Sequence, residues 1–197
     1  MSLSPMRQIP LDMGLSFGPT LGNFCPGPNA AALQHLRLWV GASLTTRSPV
    51  PTYFWGASGS GKTHLLKAAR EALREQGASV GWLDATTPHV QEFHEGWAAV
   101  LLDDVHLYTS EQQHMAFNWF VNAQTLQRPV VAAGEVAPVD LRLREDLRTR
   151  LGWGHVFGLL PLSEAEQRAV LRQVADARGV FLGDEVMDFM LTRFSRD

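Results

Sequence analysis

Residues 56–63 read Gly56-Ala57-Ser58-Gly59-Ser60-Gly61-Lys62-Thr63, and this stretch decides the fold. It satisfies the pattern G-x-x-x-x-G-K-[ST] in full, between an apolar run and a helical pattern, as a phosphate-binding loop requires. Glycines let the backbone turn its N–H groups toward phosphate oxygens, and the following helix N-terminus adds positive potential. We therefore predict that all of these residues bind a nucleotide, with Lys62 at the β- and γ-phosphates and the Thr63 hydroxyl on Mg²⁺.

An acidic pair follows an apolar run downstream. The run 98–102 is apolar throughout, which predicts a strand buried on both faces, and it ends at Asp103 and Asp104. Ligands collect at the carboxyl ends of parallel strands, so we expect this pair to lie beside the phosphate loop. In that setting Asp103 would hold Mg²⁺ through water, and Asp104 would orient or deprotonate an attacking water. A solvated Asp-Asp turn is the alternative.

Around these motifs, strand and helix patterns alternate. Strand patterns occupy residues 52–55, 79–83, 98–102, 130–133 and 156–159. Helical patterns occupy residues 30–40, 62–75, 111–126 and 141–151, with Asn29 as the expected cap of the first and Ser110 with Gln113 as the capping box of the third. The alternation predicts an α/β fold, a P-loop NTPase with a five-stranded parallel sheet between helices.

The end regions of the chain differ from this pattern. Residues 1–16 are interpreted as a flexible tail because proline recurs without any helical or strand period, and residues 17–160 as the α/β domain. Residues 161–197 contain no strand pattern but two helix patterns, one starting with a Ser163–Glu166 capping box. The 197 residues thus predict one domain followed by a small helical region.

Composition narrows the class of protein. The chain has 17 Lys+Arg against 20 Asp+Glu, a formal net charge of −3, which argues against strong direct binding of duplex DNA. The single cysteine, Cys25, cannot form an internal disulfide, so a reducing cytoplasm is expected. No apolar run approaches the roughly 18 residues of a membrane span. The histidines lack metal-ligand spacing, and the six tryptophans are interpreted as packing residues rather than base-stacking platforms.

Several motifs together resemble the AAA+ module of the DnaA family of replication initiators. They are residues 61–66 (GKTHLL), 102–106 (LDDVH) and 150–154 (RLGWG), while residues 23–29 are similar to the family's adenine-side entry segment. The resemblance covers nearly the whole chain and implies ADP or ATP as the bound nucleotide, with Mg²⁺. It adds His64 and Phe24 to the nucleotide-binding residues, and makes Glu135 the nearest candidate for the polar residue beside the γ-phosphate.

The same resemblance assigns a role to Arg150. In AAA+ assemblies an arginine at this position, an arginine finger, points at the γ-phosphate held by the neighbouring subunit. There it stabilises the charge of the transition state. Arg148 is the nearest rival, and a surface arginine in an arginine-rich helix is the alternative without a catalytic role.

Within the family, the chain is most similar to the short Hda homologues that inactivate the DnaA initiator. It lacks a carboxyl-terminal helix-turn-helix domain, and the stretch 84–97 is too short for the extra helices that initiators use on single-stranded DNA. Residues 8–13 resemble the sliding-clamp-binding peptide of these homologues, with Gln8, Ile9, Leu11 and Met13 as the contact residues. The implied partners are DnaA and the sliding clamp, with no membrane, and a homo-oligomer is compatible with the family.

Two departures from the family pattern predict weak intrinsic hydrolysis. The strand that ends at Gly134 lacks the usual small polar residue, and the helical lid implied by the resemblance stops at residue 197, before its third helix. Two other functions stay open: a helicase loader or transposition helper similar to DnaC, and an autonomous small P-loop kinase or ATPase.

Overall fold

Five strands form a single parallel sheet in this computed structural model, which describes residues 18–43, 46–89, 91–177 and 179–194. The strands are β1 (Thr52–Trp55), β2 (Val80–Leu83), β3 (Ala99–Leu102), β4 (Val130–Gly134) and β5 (His155–Gly158). Their spatial order is β2-β3-β4-β1-β5, with every neighbouring pair parallel. The predicted α/β fold is confirmed.

In the described residues, six helices precede, connect or follow these strands. They are α1 (Ala30–Gly41), α2 (Lys62–Glu75), α3 (Ser110–Thr125), α4 (Glu145–Leu151), α5 (Glu164–Ala177) and α6 (Asp184–Phe194). Short 3-10 turns precede α1, follow β3 and follow β4. Both helices expected in residues 161–197 are present, with ion pairs from Arg168 to Asp188 and from Arg172 to Asp184 joining them.

The core consists of two apolar layers, one on each face of the sheet. Successive strand residues point to opposite faces, so Phe54 packs under α1 and α2 while Tyr53 packs under α3 and α4. Every residue of β3 is buried, as the apolar run predicted. No helix in the described part of the chain is both long and apolar enough to cross a membrane.

Two helix starts differ from the prediction. The capping box of α3 is formed by Thr109 and Gln112, one residue earlier than expected, because Thr109 is the last extended residue and Ser110 is already helical. The helix expected over residues 141–151 begins only at Glu145, because the backbone is still extended at Leu141 (ψ 129°) and Arg144 (ψ 137°).

Asn29 precedes α1 as predicted, but its side chain does not cap the helix. Its amide nitrogen donates to the carbonyl oxygen of Leu160 at 2.8 Å, and its amide oxygen accepts from the Leu160 N–H at 2.9 Å. The start of α1 is therefore fastened to the chain that leaves β5. Nearby, the side of Gly27 where a Cβ would lie faces the side chains of Leu162 and Glu166.

Candidate nucleotide-binding site

The loop between β1 and α2 has a backbone that only glycine adopts without strain. Gly59 and Gly61 have φ values of 75° and 97°. A Cβ on Gly61 would lie 2.7 Å from Cε2 of Phe24, whose ring covers the loop at this point. Gly61 is thus required both by its conformation and by the close approach of Phe24.

Lys62 is buried at the first position of α2. Its ammonium group donates to the carbonyl oxygens of Gly56 at 2.7 Å and Ala57 at 2.9 Å, so it lies inside the loop. Burial lowers the pKa of Lys62, and this effect outweighs the opposing influence of nearby carboxylates. Those carboxylates belong to Asp104, Asp103 and Glu135.

Asp103 lies at the carboxyl end of β3 and is only 2 % exposed. Burial raises the pKa of its carboxyl group, against the effect of a hydrogen bond donated by the Thr63 hydroxyl. The Asp104 N–H also donates to this carboxylate, at 3.0 Å. Asp104 itself has a φ of 49°, an uncommon conformation for a residue other than glycine. Thr63 and Asp103, which are distant in the sequence, are therefore in contact.

The chemistry of this loop fits phosphate and Mg²⁺. The Ser60 hydroxyl is buried and, among the described residues, has no hydrogen-bond partner, so it is available to an oxygen ligand. In the same part of the chain, no three histidine, cysteine, aspartate or glutamate side chains form a metal cluster. Mg²⁺ seldom needs such a cluster, since it is usually held by one or two protein groups together with phosphate oxygens and waters. Thr63 and Asp103 would supply those two groups.

Phe24 and His64 lie together at the edge of the loop. Their rings meet edge to face with centroids 5.4 Å apart, and the His64 Nε2 donates to the carbonyl oxygen of Thr20 at 3.0 Å. His64 therefore ties the segment that carries Phe24 to the first turn of α2. The resemblance pointed to both rings, whereas the partner of His64, a main-chain carbonyl, carries no sequence signal.

Glu135 follows β4 directly and lies near His106, with 3.4 Å between a carboxylate oxygen and Nε2. The backbone here is held by Tyr53, a residue that the sequence interpretation missed. The Tyr53 hydroxyl donates to the carbonyl oxygen of Val136 at 2.9 Å and fills the space beside Gly134. Burial raises the pKa of the Tyr53 hydroxyl well above its usual value, so it remains a neutral donor.

Arg150 lies apart from this cluster, in the last turn of α4. Its guanidinium carbon is 5.1 Å from the ring centre of Trp153, 5.3 Å from that of Phe117 and 5.9 Å from that of Phe120. Within the described ranges, neither Arg150 nor Arg148 forms an ion pair. An open depression of about 640 Å³ lies beside it, lined by Arg144, Glu145, Asp146, Thr149, Arg150 and Trp153.

Not all predicted contacts fall within the structure. The proposed clamp-binding residues Gln8, Ile9, Leu11 and Met13 lie outside the described residues. Trp153, interpreted with the other tryptophans as a core or interface packing residue, is 61 % exposed, so it does not belong to the core. It lies in the turn after α4, three residues after Arg150 in the sequence.

Comparison with known proteins identifies the family of this chain. The family model of the bacterial DnaA ATPase domain matches residues 18–158. A solved structure of domain III of the replication initiation protein DnaA from Thermotoga maritima superposes with a TM-score of 0.73 at 22 % identity, covering 86 % of this chain and 78 % of that one. Replication initiator DnaA bound to AMPPCP and single-stranded DNA gives a TM-score of 0.71 at 23 % identity, over 88 % of this chain.

AMPPCP-bound DnaA from Aquifex aeolicus gives a TM-score of 0.69 at 24 % identity, over 88 % of this chain. The present chain spans only 59 % of the length of either AMPPCP-bound initiator. At such identities the superpositions establish the fold, that of AAA+ P-loop NTPases, and the family model establishes the relationship. The chain therefore belongs to the family of the bacterial DnaA ATPase domain, the AAA+ module of replication initiators.

Proposed function

We propose that this chain is a nucleotide-binding AAA+ regulator of chromosomal replication initiation. In this proposal it binds ADP or ATP with Mg²⁺, docks on the sliding clamp and promotes hydrolysis of the ATP held by the DnaA initiator. The observation that carries the proposal is the separation of two sites in one chain. Lys62 lies inside the phosphate loop near the Asp103–Asp104 pair, whereas Arg150 lies in the last turn of α4 and forms no ion pair with a carboxylate in the described residues.

The phosphate loop supports the nucleotide part of the proposal. The N–H groups of residues 59–63 and the Ser60 hydroxyl would bind phosphate oxygens. Lys62 would exchange its bonds to the Gly56 and Ala57 carbonyls for bonds to phosphate. Bound Mg²⁺ would neutralise phosphate charge, held by Thr63 and Asp103. Asp104, at the mouth of this cluster, is the candidate for orienting water.

The position of Arg150 supports action on a neighbouring molecule. Its guanidinium contacts aromatic rings and forms no ion pair in the described residues, so its N–H donors are not consumed by a carboxylate. Such an arginine, inserted beside the γ-phosphate of a second protein, stabilises the charge that develops during hydrolysis. Fingers of this kind accelerate hydrolysis by about 10³- to 10⁵-fold.

The test is the hydrolysis rate of ATP pre-bound to full-length DnaA, measured with DNA-loaded clamp and increasing amounts of this protein. We expect the wild type to stimulate hydrolysis and R150A to abolish the stimulation while retaining ADP affinity. R148A is the matched control, because it removes an arginine from the same helix, and it should retain most of the stimulation. Equal stimulation by wild type and R150A would exclude the finger assignment.

The clamp part of the proposal has its own test. Clamp binding is measured by surface plasmon resonance for the full chain, for a variant without residues 1–14, and for Q8A. We expect the deletion to abolish binding and Q8A to weaken it, since an extended peptide of this kind binds through a few side chains. Unchanged binding after the deletion would contradict the assignment to residues 8–13.

A second candidate function is autonomous hydrolysis of ATP. It is supported by the contact of Thr63 with Asp103 and by the position of Lys62 near carboxylates, since these are groups that a phosphate and metal site would use. Steady-state turnover by the isolated chain discriminates between the two functions. Turnover above about 1 s⁻¹ that D104N abolishes would favour the autonomous enzyme.

A further inference from the structure

Trp153 is a large apolar side chain on the surface, and its backbone is held firmly. It lies between Gly152 and Gly154, and both glycines make close approaches. A Cβ on Gly152 would lie 3.3 Å from Cβ of Pro138, and one on Gly154 would collide with the carbonyl oxygen of Pro51. The turn after α4 is thus packed against rigid proline-containing segments, and it carries the indole to a defined place at 61 % exposure.

The indole lies against the guanidinium of Arg150. The guanidinium carbon is 5.1 Å from the centre of this exposed ring and 5.3 Å from the centre of the half-buried Phe117 ring. The main-chain N–H of Trp153 also donates to the Arg150 carbonyl oxygen at 3.2 Å, and this bond closes the turn between the two residues. Phe117 packs against the layer between α3 and the sheet, so its ring is held in place.

We propose that Trp153 is the positioning residue of Arg150, its indole forming the outer wall of an aromatic slot that orients the guanidinium toward a neighbouring triphosphate. This inference rests on the function proposed above for Arg150. A planar guanidinium stacks favourably on aromatic faces, and the stacking restricts a long side chain that would otherwise sample many rotamers. Preorganisation of this kind raises the rate of the chemical step.

Aromatic walls suit this task better than an acidic residue would. A carboxylate would orient Arg150 but would also neutralise its charge and occupy the N–H donors that phosphate oxygens need. Ring faces leave those donors free and the charge intact. Arg144, which directly precedes the same helix, also contacts the Phe117 ring but forms an ion pair with Asp146 at 2.7 Å, so its charge is neutralised.

An exposed tryptophan beside a depression could instead act as an apolar anchor for the partner. The two roles predict different kinetics. A positioning residue changes the plateau rate of stimulated hydrolysis, whereas an anchor changes the concentration of this protein that gives half of the plateau. The kinetics of stimulated hydrolysis therefore distinguish the positioning role from the anchoring role.

The experiment measures stimulated hydrolysis of DnaA-bound ATP by W153A and W153F, each checked by thermal unfolding. We expect W153A to lower the plateau by about two- to fivefold with little change in half-saturation, and W153F, which retains a ring face, to recover most of it. An unchanged plateau with a raised half-saturating concentration would overturn the proposal in favour of an anchor.

The NMR order parameter of Arg150 Nε in the isolated protein gives a readout independent of DnaA. It should fall in W153A and not in W153F, and an unchanged value in W153A contradicts the slot. Full stimulation by R150A would instead refute the proposed function, while the order parameter still tests the slot.

Discussion

The phosphate loop and the outer end of α4 present their cations in opposite ways. Lys62 is buried and its ammonium donates to two carbonyl oxygens of its own loop. Arg150 is partly exposed, contacts aromatic rings and has no carboxylate partner in the part of the chain that the structure describes. The first cation is balanced within one chain, whereas the second keeps its charge and donors free. Under the proposed function, the first site would act within one chain and the second would act on a second molecule.

This contrast has an experimental consequence. Substitutions in the phosphate loop should change the isolated chain, in its nucleotide affinity or its stability. Substitutions at the end of α4 should leave the isolated chain almost unchanged and be detected only with a partner. The predictions below test this division, beginning with the largest expected effect.

K62A should lower the affinity for ADP and Mg²⁺ by at least about 100-fold, because Lys62 provides the only charged side chain inside the loop proper. Isothermal titration calorimetry measures the loss. R74A is the control, since it removes a positive charge from the last, exposed turn of the same helix. Similar losses in both variants would show that the effect is nonspecific.

G61A should lower the free energy of unfolding by about 2 kcal/mol, because the new Cβ combines an unfavourable φ with a collision against Phe24. G59A adds a Cβ at a similar φ but into open space, so it should cost only about 1 kcal/mol. Urea denaturation of the two variants isolates the cost of the collision. A loss for G59A equal to that for G61A would show that Phe24 does not constrain the loop.

The stability of the sheet edge should depend on His35, which belongs to neither site. Burial, and then the neighbouring His155, lower the pKa of His35 below 6.5, and its Nε2 lies 2.9 Å from the Thr52 hydroxyl. The folded state therefore keeps His35 neutral while the unfolded chain takes up a proton. The free energy of unfolding should fall as the pH drops below about 6.5.

H35Q keeps a hydrogen-bonding side chain without the titration, so it should show a smaller decrease between pH 7.5 and 5.5 by urea denaturation, differing from wild type by less than about 1 kcal/mol. An identical pH dependence in wild type and H35Q would assign the effect to other groups. Either result leaves the division between the loop and α4 intact, because the histidine pair contacts neither.

R150A should change the stability of the isolated chain by less than about 0.5 kcal/mol, since only ring contacts at the surface are lost. L147A serves as the positive control on the same helix. Leu147 is fully buried, so its truncation should cost about 3 kcal/mol. A large destabilisation by R150A would break the contrast, because Arg150 would then be a structural residue.

Much of the fold was predictable from local patterns. The bounds of β1 and α2 coincide with the prediction because an apolar run, the glycine-rich loop and a helical period adjoin there. The contact of Thr63 with Asp103 followed from the rule that parallel strands present their carboxyl ends on one edge. These features depend on short segments and on general topology, both of which a single sequence contains.

Other features depend on contacts between distant residues. Asn29 was expected to cap α1, but its partner, Leu160, lies 131 residues away, and no local pattern indicates this pairing. The sequence also did not indicate that Trp153 is 61 % exposed, since the exposure of a side chain depends on how distant segments pack around it. The flanking Gly152 and Gly154 lie close to Pro138 and Pro51, which are distant in the sequence. Tyr53 was missed for the same reason, since its partner, Val136, belongs to another strand connection.

The two hydrogen bonds between the Asn29 side chain and the Leu160 backbone couple the start of α1 to the chain that leaves β5. Because a single side chain holds both the N–H and the carbonyl of Leu160, the chain leaving the sheet cannot twist there without turning the first residues of α1. Gly27 faces the side chains of Leu162 and Glu166, so the two regions approach each other at a second point. A tilt of α5 would therefore shift the segment that carries Phe24, which lies over the phosphate loop.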